Sequence, residues 1–130
     1  MASIFSKIVT GEIPCYKIAE NESCLAFLDA FHLKKGHVLV IPKKEIDYIF
    51  DLDNATYNGL MSFARDVAIA LKKAIPCNRI GVSVIGLEVA HAHIHLIPMN
   101  STNDMNFANE KLKFSKEEFQ EIADQIKRNF

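Results

Sequence analysis

The chain has no C-x-x-C pair, no G-x-x-x-x-G-K phosphate loop and no G-x-G-x-x-G fingerprint. A P-loop nucleotidase and a dinucleotide-binding βαβ unit are thereby excluded. Ser83 stands in "GVSVIG", which is not a nucleophile elbow. No apolar stretch is long enough to span a bilayer, and there is no internal repeat, low-complexity segment or linker. Fifteen Lys and Arg stand against sixteen Asp and Glu, a formal net charge of -1 at pH 7. Nothing there draws the chain toward nucleic acid or an anionic membrane, so neither is expected as a partner. The pairs Lys34-Lys35 and Lys43-Lys44 read as solvated edges. Only three cysteines occur, Cys15, Cys24 and Cys77. Odd in number and far apart, they read as buried free thiols in a reducing, cytoplasmic setting. The opening "MASIFSKIVTGEIP" does not read as a signal peptide, because Lys7 and Glu12 interrupt it before any apolar core. The 130 residues, 49% hydrophobic and 24% charged, are expected to form one globular domain over 1–130 with a sizeable core.

Against these absences stands one concentration. Residues 91–98 read "HAHIHLIP", and three of the chain's five histidines lie there at every second position. Alternate residues of a β-strand share a face, whereas a helix would scatter them. A strand is therefore expected with His91, His93, His95 and Ile97 on one face. Ala90, Ala92, Ile94 and Leu96 form the core side, and Pro98 marks the strand's end.

The rest of the chain supplies a frame. "IFSKIVTG" reads as a short amphipathic helix closed by Gly11. "CLAFLDA" (24–30) alternates, with Leu25, Phe27 and Asp29 on one face. "GHVLVIP" (36–42) is an apolar strand stopped by Pro42, with His37, Leu39 and Ile41 on one face. Tyr57, Leu60, Met61, Ala64, Val67, Ala68, Leu71 and Ile75 follow a helical period, capped by Asp53 or Asn54 and ended by Pro76. "RIGVSVIG" (79–86) is a further strand. After a polar loop, Ser115 and Glu118 form a capping box for a last helix that buries Phe119, Ile122, Ala123 and Ile126. The order predicts an α+β fold with an antiparallel sheet.

Three roles compete for the histidines: a polar solvent-facing strand, a metal site, or covalent chemistry. One imidazole on an exposed face needs no explanation, but three do. Imidazole is the commonest zinc ligand, yet three strand positions span about 13 Å from first to last Cα, and no further ligands stand at metal spacing. Neutral imidazole is also a nucleophile toward phosphorus. That chemistry needs one free ring nitrogen, a tautomer fixed at the other, and donors around the phosphate oxygens. A central histidine flanked by two others offers all three. Asp29, on an otherwise apolar strand face, is placed to grip a ribose diol.

The motif "HAHIHLIP" resembles the signature of the histidine triad (HIT) family. The segment "IFSKIVTGEIPCYKIAENESCLAFLDAFHLKKGHVLVIPKK" (4–44) is similar to the N-terminal half of the family's Hint-like, nucleotide-binding branch. The likeness covers most of 4–98 and leaves the loop and helix of 99–130 without a motif. It implies an α+β fold with a five-stranded antiparallel sheet, one long helix and a C-terminal helix. It also implies a homodimer that joins two sheets, with the long helix and the strand before it at the interface. The implied activity is hydrolysis or transfer at the α-phosphate of nucleoside phosphoramidates, acyl-nucleotides or dinucleoside polyphosphates, through a nucleotidyl-histidine. The alternatives are a non-catalytic nucleotide-binding dimer or sensor and a metal-dependent hydrolase using the histidines as ligands. By position, His93 would be the nucleophile, His95 would contact phosphate oxygens and leaving group, and His91 would orient the site with help from His37. Asp29 would hold the ribose of a purine nucleotide. Phe5, Ile8 and Phe27, joined by Ala30, would line the base pocket, though plain core packing competes for the first three.

The departures are specific. Many relatives carry C-x-x-C where this chain has Ser3 and Ser6, with a histidine near the position of Glu45. The family's structural zinc is therefore not expected, and no cofactor is. Before the triad, Gly86-Leu87-Glu88 replaces a glycine-glutamine pattern, so Leu87 offers no amide. Glu88 stands near the expected leaving group, and Ser83 takes the place of a polar phosphate or ribose contact.

Overall fold

Two short apolar segments of the chain are buried at every position, and this decides where they lie. The computed structural model describes residues 2–130. In it β2 (Cys24–Leu28) and β3 (Val38–Pro42) occupy the inside of a five-stranded antiparallel sheet of order β1-β2-β3-β5-β4. The other strands are β1 (Lys17–Glu20), β4 (Arg79–Ser83) and β5 (Ile94–Met99). A strand buried on both faces must carry apolar side chains on both, as CLAFL and VLVIP do.

The helices divide between the faces. On one face α2 (Asn54–Ala74) and α3 (Lys116–Lys127) cover Ala26, Leu28, Val38, Val40, Ile94 and Leu96, forming the main core. The Asp53 carboxylate caps α2 by accepting the Thr56 N–H at 2.7 Å, and the Ser115–Glu118 capping box opens α3. On the other face the short α1 (Ile4–Thr10) packs Phe5 onto Leu25, Phe27, Leu39 and Ile41. It ends at Gly11, whose φ of 87° suits a residue without Cβ. No helix among the described residues is long and apolar enough to cross a membrane.

The expected α+β architecture is present, with local corrections. The histidine strand starts at Ile94, so His91 and His93 precede it. The β3–β5 pairing runs Val38↔Leu96, Leu39↔His95 and Val40↔Ile94. Two residues farther along this register Pro42, which would face Ala92, has no N–H to extend the ladder, and the Ala92 N–H bonds instead to the Ile46 carbonyl at 2.7 Å. Pro98 does not end the strand. It pairs with Ile80 of β4 but lies beyond the last β3 partner, so on that side its missing N–H forfeits no ladder bond. The strand expected over 79–86 stops at Ser83, where pairing with β5 runs out at His95. Asp29 stands one residue past β2 rather than within it. Strand β1 was not anticipated, because four residues with charged ends carry too little alternation. In α2, Met61 is exposed while Phe63 and Ala70 are buried. Phe119 is only half-buried, stacked on Tyr16 with ring centroids 5.1 Å apart. Of the three free thiols only Cys24 is fully buried. The strand before the long helix, β3, is central and has no free edge, so it cannot join two sheets; β4, after the helix, is an edge strand.

Candidate functional site

The β3–β5 register sets Leu39 opposite His95. The β2–β3 register sets Leu28 opposite Val38, so Asp29 and His37 meet at the same end of the sheet. All five histidines of the chain are buried. A neutral imidazole has one N–H and one lone pair, and each needs a partner when water is removed. Those partners determine the tautomers.

The Leu33 N–H donates to His37 Nδ1 at 3.0 Å. The His37 proton is therefore on Nε2, which donates to His95 Nδ1 at 2.9 Å. His95 in turn carries its proton on Nε2. His93 Nδ1–H donates to the His91 carbonyl at 2.8 Å, leaving Nε2 with a free lone pair. The rings of His93 and His95 lie 5.0 Å apart. His91 Nε2–H donates to the Pro42 carbonyl at 2.8 Å, and its Nδ1 accepts from the Ser3 hydroxyl at 2.9 Å. The arrangement thus offers one lone pair, at His93 Nε2, beside one N–H, at His95 Nε2.

Burial is the main reason His37, His95 and His91 stay neutral. It pushes His37 down to about 2, with His95 adding to the effect, and His95 down to about 4, with His93 adding. His91 is lowered by burial too, against the opposing pull of the Pro42 carbonyl and Glu45. Asp29 is raised, again chiefly by burial, while the Phe31 N–H at 2.8 Å holds it back. Asp29 Oδ2 lies 3.4 Å from His37 Nε2 and 4.0 Å from His95 Nδ1. With both rings neutral these approaches are not ion pairs.

Two donor sets bear on metal. Asp29, His37 and His95 each bring an atom within 4.8 Å of the others, but His37 Nε2 carries a proton and His95 Nδ1 accepts it. The trio is therefore arranged for a hydrogen bond rather than a cation. Ser3, Ser6 and Glu45 stand where the sequence departs from its relatives' zinc ligands, and they converge on His91. Glu45 Oε1 accepts the Ser3 N–H and the Ser6 hydroxyl, both at 2.6 Å, and the Ser3 hydroxyl reaches His91 Nδ1. Two hydroxyls and an exposed carboxylate, already bonded to one another, do not fit a structural zinc, which takes thiolate and imidazole. The network instead ties α1 to the histidine segment.

The structure distributes the remaining candidates unevenly. Ser83 is the cross-strand neighbour of His95 and shares its face. Glu88 lies exposed in the loop over 84–93, where its charge pushes Asp29 upward. Phe5 and Phe27 are buried edge-to-face against each other at 5.6 Å, with Phe5 also 5.0 Å from the His93 ring. Ile8 is half-buried beside them. Ala30 is exposed beyond Asp29. A cavity of about 280 Å³ adjoins His93, lined by Tyr48, Phe50, Val84, Ile85 and Leu87. The larger groove of about 550 Å³, between α2 and β4 at Ile69, Lys72 and Ile80, is apart from the histidines. Phe107 has no role in the sequence pattern, yet its ring lies 4.9 Å from His95 and 6.2 Å from His37. Its one signal was an aromatic residue in an otherwise polar loop.

The chain's likeness to known proteins agrees with this geometry. The HIT domain matches residues 10–102. An uncharacterized HIT-like protein of Borreliella burgdorferi is 33% identical over 134 residues, covering 97% of this chain and 96% of that protein. An adenosine 5'-monophosphoramidase of Schizosaccharomyces pombe is 37% identical over 103 residues, covering 75% and 74%. The crystal structure of a Hit-like protein of Bartonella henselae superposes with a TM-score of 0.87 at 28% identity, covering 98% of this chain and 96% of that one.

The neutral rings tie stability to acidity. Unfolded histidines bind protons below about 6.5, whereas His32 and His95 resist protonation until about 4 when folded. Between those values the unfolded state holds more protons, so stability falls as pH falls. Thermal unfolding followed by circular dichroism should show Tm dropping continuously from pH 7 to pH 4. A flat Tm across that window would show that the rings are not held neutral.

Proposed function

The chain belongs to the histidine triad (HIT) family, and we propose that it is a nucleotide-binding enzyme that acts at the α-phosphate through a nucleotidyl intermediate on His93. The observation that carries this reading is the uncommitted lone pair at His93 Nε2, the one such nitrogen among the four linked rings, beside the His95 Nε2–H. In the first step His93 Nε2 attacks the α-phosphorus of a purine nucleoside phosphoramidate. The phosphorus–nitrogen bond to the leaving amine breaks, and the amine keeps the electron pair and takes up one proton. The ring then bears positive charge, which the His91 carbonyl stabilises through Nδ1–H. The His95 Nε2–H donates to a phosphate oxygen. In the second step water attacks phosphorus and releases one proton, and the bonding pair returns to Nε2. Acyl-nucleotides and dinucleoside polyphosphates present the same α-phosphate and belong to the same substrate class.

The ribose site in this reading is Asp29. Its two oxygens keep lone pairs beyond the Phe31 N–H bond, and its side chain remains partly open to solvent. The base sits toward Phe5, Ile8 and Phe27, and Ser83 and Glu88 border the phosphate and leaving group. The relationship to the fission-yeast phosphoramidase supports this assignment.

We further propose a two-fold dimer through β4. Its outer edge has no strand partner, and exposed apolar side chains, Val82, Val84, Ile85 and, on α2, Ile69, lie along it. An uncovered edge with that composition favours pairing with a second copy.

Four measurements test these assignments. His93→Ala should lower turnover of adenosine 5'-phosphoramidate by several orders of magnitude, since covalent catalysis replaces one high barrier with two lower ones. His95→Ala should cost on the order of 10²–10³, as for a single lost donor. Acid quench with labelled substrate should trap an adduct on the wild type and none on His93→Ala. An adduct elsewhere, or none with turnover intact, would refute the mechanism. Asp29→Ala should weaken ribonucleotide binding by about 1.5–3 kcal/mol per charged hydrogen bond lost and leave a 2',3'-dideoxy analogue nearly unaffected; equal losses would remove Asp29 from the site. Sedimentation at micromolar concentration should give a dimer, and Val82→Lys should shift it to monomer. A wild-type monomer would discard the β4 interface.

A further inference from the structure

The segment between β5 and α3 is polar and follows no motif, yet it is tightly built. The Asp104 carboxylate accepts the N–H groups of Asn100 and Ser101 at 2.8 and 3.1 Å and lies 3.4 Å from the Lys34 ammonium. The Asn109 side-chain amide donates to the Asn103 carbonyl at 2.8 Å. The Lys111 ammonium bridges the carbonyls of Phe107 and Asn109. The Leu112 N–H then fastens the loop to the His32 carbonyl at 2.8 Å.

This loop is seated on the histidine face of the sheet. Gly81 pairs with Ile97, two residues from His95 and on its side. A Cβ at Gly81 would collide with Met99 Sδ and lie 2.6 Å from Met105 Cε, so the loop packs down onto bare backbone there. Ile97 is fully buried on that face although it belongs to neither helix-covered cluster. Phe107 is the loop's aromatic residue, and it meets His95 edge-to-face at 72° while also contacting His37. The histidine row is thus bounded by two aromatic rings, Phe5 at the His91–His93 end and Phe107 at the His37–His95 end.

We propose that Phe107, held by the loop over 100–112, is a positioning residue: it locks His37 and His95 in the one mutual orientation that turns the His95 Nε2–H toward the substrate. The His37–His95 bond alone does not do this, since a neutral imidazole can exchange its donor and acceptor nitrogens by rotation or tautomer change. A ring packed against His95 restricts the rotation. It also excludes the water that would compete for Nδ1.

The kinetic part of this inference rests on the hydrolase reading, while the ring geometry can be tested without turnover. With adenosine 5'-phosphoramidate, Phe107→Ala should lower kcat about ten- to a hundred-fold, the scale of a small misplacement, with KM changed less than about threefold. Phe107→Leu should recover much of the loss. Gly81→Ala, which meets the loop through Met105, should displace Met105 and lower kcat in the same direction. In long-range ¹H–¹⁵N spectra the wild type should show His95 protonated at Nε2 alone, and Phe107→Ala should show a mixture of tautomers. Wild-type kcat with an unchanged His95 tautomer in Phe107→Ala would overturn the proposal, as would a loss in Gly81→Ala without any change at His95. If the wild type turned over no nucleotide but the His95 tautomer still shifted in Phe107→Ala, the hydrolase reading would fall and this one would stand.

Discussion

A buried neutral imidazole must place one donor and one acceptor at once, and in this protein four of the five rings are joined in two hydrogen-bonded chains that leave His93 Nε2 and His95 Nε2 free. The chain of bonds begins at a backbone amide, Leu33 N–H, and passes through His37 to His95. A second chain begins at the Ser3 hydroxyl and the Pro42 carbonyl, fixes His91, and passes from its carbonyl to His93. Backbone groups bond directly to His37, His91 and His93, so those tautomers are tied to the fold, whereas His95 is held only through its one bond to His37. The exception is His32, whose Nε2 is buried without a partner between Phe114 and Phe119. Leaving such an atom unmet costs about 1–3 kcal/mol, offset by the bond from its Nδ1–H to the Asp29 carbonyl, which shapes the turn carrying Asp29.

The layering explains why the reactive groups end up where they do. One face of the sheet is closed by α2 and α3 and supplies most of the apolar burial. The other is covered piecemeal, by α1 over Phe27 and Leu39 and by the loop over 100–112 beyond Ile97. Between these two covers lie His93 and His95, nearly buried yet each reachable along one side. Low local polarity strengthens every hydrogen bond there and keeps the His95 ring uncharged. Neutrality is what a nitrogen nucleophile requires, so one physical condition serves both folding and chemistry.

Ser3, Ser6 and Glu45 support His91 through hydrogen bonds. The Ser3 hydroxyl holds His91 Nδ1 at 2.9 Å and also caps α1 by accepting the Ser6 N–H at 3.0 Å. Glu45 closes the arrangement, its carboxyl held down at about 2 mainly by the Ser3 N–H and the Ser6 hydroxyl. The support is therefore electrostatic and local.

What the sequence determined by itself is the local chemistry. The two-residue spacing of His91, His93 and His95 set a common face, the apolar residues between them set the core side, and Asp53, Ser115 and Gly11 marked helix ends. These depend on dihedral preferences and on neighbours a few residues away. Only the tertiary structure decided where β5 begins, because that depends on Pro42, some fifty positions earlier in the chain, lacking the N–H that would extend the ladder. It also decided that β4 is the free edge, that Ser3 meets His91 and Glu45 across 88 and 42 residues, and that Phe107 stands against His95. The latter two are contacts between segments with no shared periodicity. Their partners are chosen by sheet order and loop path, which no local pattern encodes.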